Sequence, residues 1–308
     1  MAHPLRIVFM GSPDFAVPTL ERLHQTTHKV VSVISGTDKR RSRRGEPVPT
    51  PVKQKALELG LSTFDADDMK DPALHSHLKE LNADLFVVVA FKILPQFLLD
   101  IPSHGSVNLH ASLLPKYRGA APIHWAVING EEQTGCTVFF LDRGVDTGNI
   151  IKQKKISIGP DETTGDVYER LKLLGAKVMT DAVEEIASGT VIPWEQDERN
   201  ASGAPKLFKE NTRINFDKPA ADLHNFIRGL NPFPVAWCMY GNKKMNVYKS
   251  RIGPYEDLNP GEFSFSGNKL LAGTGDGTIE LLKVQLPGTK KMSGPEFANG
   301  YNLDITLQ

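Results

Sequence analysis

The run 85–90, Leu-Phe-Val-Val-Val-Ala, constrains the fold more than any other stretch of this chain. Its β-branched centre, Val87-Val88-Val89, has no polar face, which fits a strand covered on both sides. Such a strand belongs inside a parallel sheet with helices above and below it. Segments 5–10 and 29–35 read as further apolar strands, followed by helices at 15–23 and 51–59, and 106–109 reads as another strand. Strands alternating with helices predict an α/β class, a Rossmann-like, mostly parallel sheet with helices on both faces. Segments 137–141 and 150–158 are then adjacent strands, and 164–186 is a long amphipathic helix with Asp161 or Thr163 near its cap.

Beyond 188 the pattern changes. Periodicity is lost, and Pro193, Asn200, Ser202, Gly203 and Pro205 mark a linker. Short strands follow at 236–240, 246–251, 261–265, 270–274 and 279–284, separated by Gly, Asn and Asp turns. Several short strands in about a hundred residues predict a small C-terminal β-barrel. With 308 residues, more than one core is expected. The expected division is 1–188, a linker at 189–207, and 208–308. Trp237 and Phe233 are read as core residues of the second part.

Charge excludes some classes. The 36 Lys and Arg are balanced by 36 Asp and Glu, so the chain is no uniformly basic nucleic-acid binder. Yet Lys39, Arg40, Arg41, Arg43 and Arg44 crowd one loop after the second strand. A polyanion such as an RNA backbone is a ligand that needs cations concentrated in this way. No apolar run approaches the roughly 18 residues of a membrane span, and the first strand is no signal-peptide core. Cys136 and Cys238, far apart in apolar contexts, predict free buried thiols in a reducing, cytoplasmic setting. No His or Cys spacing suits a metal, so none is expected. The segment Gly11-Ser12-Pro13-Asp14-Phe15-Ala16 lacks the second and third glycines of a dinucleotide site.

The chemistry concentrates at Asn108 and His110. They stand two apart at the end of the strand 106–109, so both side chains share a face. An amide donor and an imidazole there, met by Asp146 from Gly144-Val145-Asp146-Thr147-Gly148, can bind a developing oxyanion and move a proton. A lone Asn-x-His on a strand is usually a surface or core pair. Here a Gly- and Pro-containing loop, 116–122, leaves the strand's carboxyl end, where open α/β sheets bind ligands.

The string N-L-H-A-S-L-L-P-K-Y-R-G-A-A-P-I from Asn108, followed by D-R-G-V-D-T-G-N from Asp142, resembles the folate-dependent formyltransferases. Within them it is most similar to the branch acting on methionyl-tRNA, and the likeness runs through essentially the whole chain. The resemblance implies 10-formyltetrahydrofolate as co-substrate and the amine of methionine on initiator tRNA as acceptor. It implies that Asn108 and His110 stabilise the oxyanion while Asp146 orients His110 and helps collect a proton. It assigns Ser112, Leu113, Leu114 and Pro115 to folate, and the basic loop to the tRNA acceptor end. It also implies an OB-like, tRNA-binding C-terminal domain in a monomeric protein that uses neither metal nor membrane. The chain departs from the usual pattern in its Arg-rich loop, and in Ala90-Phe91-Lys92, one residue tighter than the frequent A-Y-G form. The alternative enzyme is a formyltransferase acting on a nucleotide-linked amino sugar. A glycinamide ribonucleotide formyltransferase leaves the C-terminal domain unexplained, and a deformylating hydrolase ranks third. An RNA-binding module on an inactive enzyme fold is a different class, against which the intact Asn108, His110 and Asp146 speak.

Overall fold

The structure, a computed structural model, describes residues 3–40 and 45–308. They gather into two compact units. The first comprises the described chain up to Gly119 with Gly135–Ile156 and Tyr168–Gly203; the second comprises Ala120–Thr134, Ser157–Val167 and Ala204–Gln308.

The strands of the first part are β1 (Arg6–Gly11), β2 (Lys29–Ser35), β3 (Lys39–Arg40), β4 (Pro47–Val48), β5 (Thr63–Asp65), β6 (Leu85–Val89), β7 (Ser106–His110), β8 (Gln133–Phe140) and β9 (Ile150–Ser157). Among the described residues two-residue β3 and β4 pair only with each other, and the rest form one sheet in the order β5-β2-β1-β6-β7-β8-β9. Pairing is parallel from β5 through β7, and β8 runs antiparallel to β7. All five residues of β6 are buried, as its apolar sequence predicts, and so are Ile7, Val8, Phe9 and Met10 of β1.

From β1 the chain steps out to β2 and β5, then returns to the other side of β1 as β6. That reversal opens a crevice outside the carboxyl ends of the central strands, and β7 lies next to it. Gly11 ends β1 there for a packing reason: a Cβ would sit 3.0 Å from both the Val89 carbonyl oxygen and the Ala16 Cβ. The glycine serves a close approach of β1 to β6 rather than a dinucleotide turn.

The helices are α1 (Val17–His24), α2 (Pro51–Glu58), α3 (Pro72–Glu80), α4 (Gln96–Leu99), α5 (Pro122–Ile128), α6 (Thr164–Ala187), α7 (Ala220–Gly229) and α8 (Gly294–Gly300). Their starts are written locally: Pro stands at the first helical position of α2 and α3, where it costs no hydrogen bond. Thr50 and Asp71 cap them by accepting from the Lys53 and Ala73 amides. Thr163 and Asp166 bond reciprocally at the start of α6, which selects Thr163 over Asp161 as its cap.

The second unit holds β10 (Ala236–Tyr240), β11 (Lys243–Ile252), β12 (Phe263–Ser266), β13 (Lys269–Gly273), β14 (Thr278–Gln285) and β15 (Met292–Ser293). They pair antiparallel in the order β10-β11-β14-β13-β12, with β15 on β14. This is an antiparallel, strand-rich arrangement consistent with the OB-like barrel expected. Leu223 and Ile227 of α7 join Ala236, Cys238, Met245, Val247 and Leu281 in its core. Two aromatics depart from expectation. Phe233 is 76 % exposed, and Trp237 is only half buried, its indole N–H donating to the Lys209 carbonyl oxygen. Alternation explains Trp237: its neighbours Ala236 and Cys238 take the inward positions of β10.

Candidate active site

β7 carries Asn108 and His110 on one face of the sheet, and His110 is only 6 % exposed. His110 Nε2 lies 2.8 Å from the Tyr117 carbonyl oxygen. A carbonyl oxygen only accepts, so Nε2 carries the proton. Nδ1 faces Asp146 Oδ2 at 3.6 Å, an ion-pair distance slightly beyond a hydrogen bond. Asn108, half buried one register step away, makes no side-chain hydrogen bond among the described residues, so its amide donors are free for a ligand.

The two residues that face the two ring nitrogens share a backbone peculiarity. Tyr117 has φ 63° and Asp146 φ 57°, the left-handed region. Such positions cost about 1–3 kcal/mol outside glycine and persist where surrounding structure enforces them. The enforcement at Asp146 is visible. Its Oδ2 accepts from the Gly119 N–H at 2.8 Å. Asp142 Oδ1 accepts from the Gly144 N–H at 2.9 Å and the Thr147 hydroxyl at 2.7 Å. A Cβ on Gly148 would lie 1.7 Å from the Phe140 carbonyl oxygen, so only glycine lets the turn return to β9.

Sequence reasoning missed the residues that hold this turn from outside. Gln196 donates to the carbonyl oxygens of Asp146 and Gly148, at 2.9 and 2.8 Å. Its Oε1 accepts from Arg118 Nε and Nη2, and Arg118 also forks onto Glu198. That ion pair holds the Glu198 carboxyl below its ordinary pKa. The segment expected as a linker thus packs closely: Trp194 pairs with Ile150 through two backbone hydrogen bonds. Arg118 was in plain sight inside the motif string, but a glutamine in an aperiodic stretch carries no signal of its own.

The loop Ser112–Pro115 divides its labour. The Ser112 hydroxyl donates to the Lys116 carbonyl oxygen, and Leu114 is buried with Phe139 and Ile150. Thr137 donates to the Ser112 carbonyl oxygen and accepts from the Leu114 N–H, while Gln153 donates to the Leu114 carbonyl oxygen. Leu113 and Pro115 are half buried and leave surface for a ligand. Nearby strand ends are cross-braced by Lys92, which donates to the Ala66 and Asp67 carbonyl oxygens and to Asp67 Oδ1. The Lys92 hydrogen bond, aided by the Thr37 hydroxyl, pushes the Asp67 carboxyl down to about 2.

Of the basic loop, Lys39 and Arg40 are exposed on β3, whereas Arg41, Arg43 and Arg44 lie outside the described residues. A second cationic group stands in the C-terminal unit. Lys209 Nζ, Arg213 and Lys244 Nζ surround the Trp237 ring at 5.9, 5.7 and 5.1 Å from its centroid. None of the three has an ion-pair partner among the described residues. Burial and the charge of Lys209 push Lys244 below the ordinary lysine pKa.

Both cysteines are free and buried, and burial pushes their thiols up, Cys238 to about 12. Among the described residues no cluster of His, Cys, Asp and Glu could hold a metal, and no helix is long and apolar enough to cross a membrane.

The chain matches two family models, formyl transferase over residues 5–183 and formyl transferase, C-terminal domain, over 206–302. It is 45 % identical to methionyl-tRNA formyltransferase of Chlorobium luteolum, covering 98 % of each chain. It is 44 % identical to methionyl-tRNA formyltransferase of Chlorobium phaeovibrioides, over 98 % of this chain and 97 % of that one. Among solved structures, the N-formyltransferase of Helicobacter canadensis, in complex with folinic acid and dTDP-3-aminofucose, shares the fold. Its TM-score is 0.71 at 23 % identity, over 90 % of this chain and 98 % of that one. The strand-end Asn108 and His110, the facing Asp146 and these full-length matches agree: the chain belongs to the formyl transferase family, in the branch whose members are named methionyl-tRNA formyltransferase.

Proposed function

We propose that this protein transfers the formyl group of 10-formyltetrahydrofolate to the amino group of methionine esterified to initiator tRNA. It acts as a cytoplasmic monomer, with residues 1–188 catalytic, 189–207 connecting, and 208–308 gripping the tRNA. The observation that carries the chemistry is the free amide of Asn108 beside a histidine whose ring nitrogens face Tyr117 and Asp146.

The neutral amine attacks the formyl carbon, a new C–N bond forms, and the bond to the folate N10 breaks. Asn108 donates to the carbonyl oxygen as negative charge builds on it. His110 has its Nε2 proton committed to Tyr117, so Nδ1, shared with Asp146, is the nitrogen that exchanges protons. The proton lost by the amine passes to this pair, and N10 leaves with a proton as tetrahydrofolate. Ser112, Leu113, Leu114 and Pro115 form the folate loop. The anchored Leu114 backbone supports Leu113 and Pro115, an apolar edge suited to the flat face of a pterin.

Two cationic surfaces support an RNA acceptor. Lys39, Arg40, Arg41, Arg43 and Arg44 form one, and Lys209, Arg213 and Lys244 around Trp237 form the other. Three cations around one aromatic ring, without an ion-pair partner among the described residues, suit a phosphate backbone with an unstacked base. The test is an assay of the purified protein with 10-formyltetrahydrofolate and charged initiator tRNA, following N-formylmethionine after mild deacylation. Product at catalytic turnover supports the reading. Turnover of an amino-sugar nucleotide in its place overturns it in favour of the sugar acceptor.

A further inference from the structure

We propose that Gln196 is a positioning residue for the transfer, holding Asp146 in the conformation from which it addresses His110. The inference rests on the formyl-transfer reading for its kinetic test but has a second test independent of it.

Gln196 is 9 % exposed and uses its whole amide. Its Nε2 donates at 2.9 Å to the Asp146 carbonyl oxygen and at 2.8 Å to that of Gly148. Its Oε1 accepts from Arg118 Nη2 at 2.7 Å and Nε at 3.1 Å. This arrangement has one orientation only. A flipped amide would set its oxygen against two carbonyls and its NH2 against a guanidinium, like against like on both sides. Arg118 is itself aimed by Glu198, at 2.6 and 2.9 Å. A relay Glu198–Arg118–Gln196 thus ends on the carbonyls that bracket Thr147.

What the relay secures is the backbone of Asp146. Its φ of 57° is strained for a residue with a Cβ, less for Asp than for most, and persists where the surroundings hold it. At that φ the carboxylate lies against the Gly119 N–H and 3.6 Å from His110 Nδ1. Without the two Gln196 bonds, relaxation toward the right-handed region swings the carboxylate off both partners. Gln196 touches none of the three proposed reacting side chains, so its effect on turnover is indirect, passing through the Asp146 backbone and through the Arg118 segment that it anchors.

The decisive variant is Gln196→Glu, which keeps the size and the Arg118 contact, deletes the two donors and sets a carboxylate oxygen against the Asp146 and Gly148 carbonyls. Gln196→Ala removes both, and Arg118→Lys keeps a cation but loses the fork onto Oε1. Arg199→Ala is the control: Arg199 lies in the same loop, exposed, and among the described residues its side chain pairs only with Asp197. We expect kcat to fall about 10- to 100-fold in Gln196→Glu and Gln196→Ala, as for a misplaced catalytic group. The KM values for folate and tRNA stay within about twofold, because ground-state binding is untouched. Arg118→Lys follows in the same direction with a smaller drop, and Arg199→Ala matches the wild type.

In labelled protein without substrate, the His110 ring 15N signals move in Gln196→Glu toward their positions in Asp146→Asn. If Gln196→Glu does not fold, Arg118→Lys carries both readouts. Unchanged His110 signals, or a kcat loss no larger than in Arg199→Ala, overturn the proposal. Should the wild-type protein not formylate tRNA, the reading of the reaction fails while the His110 signals still decide the positioning role.

Discussion

At the scale of single residues, His110 is held in an arrangement with a definite tautomer and a definite partner. The Tyr117 carbonyl fixes a proton on Nε2, and Asp146 waits at Nδ1. Asp146→Asn keeps the volume, and with its Oδ1 in place of Oδ2 it still accepts from the Gly119 N–H, but the atom facing His110 Nδ1 is then a neutral amide oxygen instead of a charged carboxylate. We expect kcat for formyl transfer to fall about 100-fold with an intact fold. Steady-state rates and a thermal melt of the variant check this. The pairing of Asn108 with His110 was legible because a strand repeats every two residues, so Asn-x-His can only share a face. The left-handed backbone of Tyr117 was not legible, since tyrosine rarely adopts a positive φ; Asp adopts one more readily, but nothing local fixed it at Asp146.

Among elements, the loop after β7 and the braces at the other strand ends make separable predictions. Leu114 is buried against Phe139 and Ile150, so Leu114→Ala should cost about 2–5 kcal/mol of stability. Leu113→Ala should leave stability near wild type and raise the KM for the folate. Denaturant unfolding and steady-state kinetics on the two variants separate these roles. Asp67 makes a prediction about pH. Its folded-state pKa, about 2, lies below the ordinary value, so the unfolded chain takes up the proton first as pH falls. The stabilisation is complete above the ordinary carboxylate pKa of about 3.9 and is lost as pH falls through the folded value. Both partners are partly exposed, so solvent screening keeps the effect small. Melting temperatures should therefore fall less steeply with acid in Lys92→Met than in the wild type. Here too the sequence was uneven in what it disclosed. Val87 to Val89 announced a buried central strand, and Pro51 and Pro72 announced helix starts. The bracing by Lys92, Thr137 and Gln153 depends on residues distant in the chain, which no local pattern reports.

For the whole molecule, an overall charge of zero conceals cations gathered in two places. Their count predicts a salt dependence. Each phosphate contact contributes a slope of about −0.7 to −0.9 in log affinity against log salt. The triple variant Lys209→Ala, Arg213→Ala, Lys244→Ala and the double variant Arg43→Ala, Arg44→Ala should each weaken tRNA binding and shallow that slope, with folate binding preserved. Binding titrations at several salt concentrations decide it. The basic loop was legible as a run of like charge, whereas the cluster around Trp237 draws on Lys209, Arg213 and Lys244, dispersed along the chain and joined only by folding.

In the proposed mechanism the amide of Asn108 stabilises the transition state of formyl transfer to an aminoacyl-tRNA. Single-turnover formylation of charged initiator tRNA, by wild-type protein and by Asn108→Ala at saturating substrates, tests it most directly. The expected result is a rate about 10²–10³-fold lower in the variant with both substrates still bound, the loss typical of one oxyanion donor. A variant rate equal to that of the wild type would contradict the account.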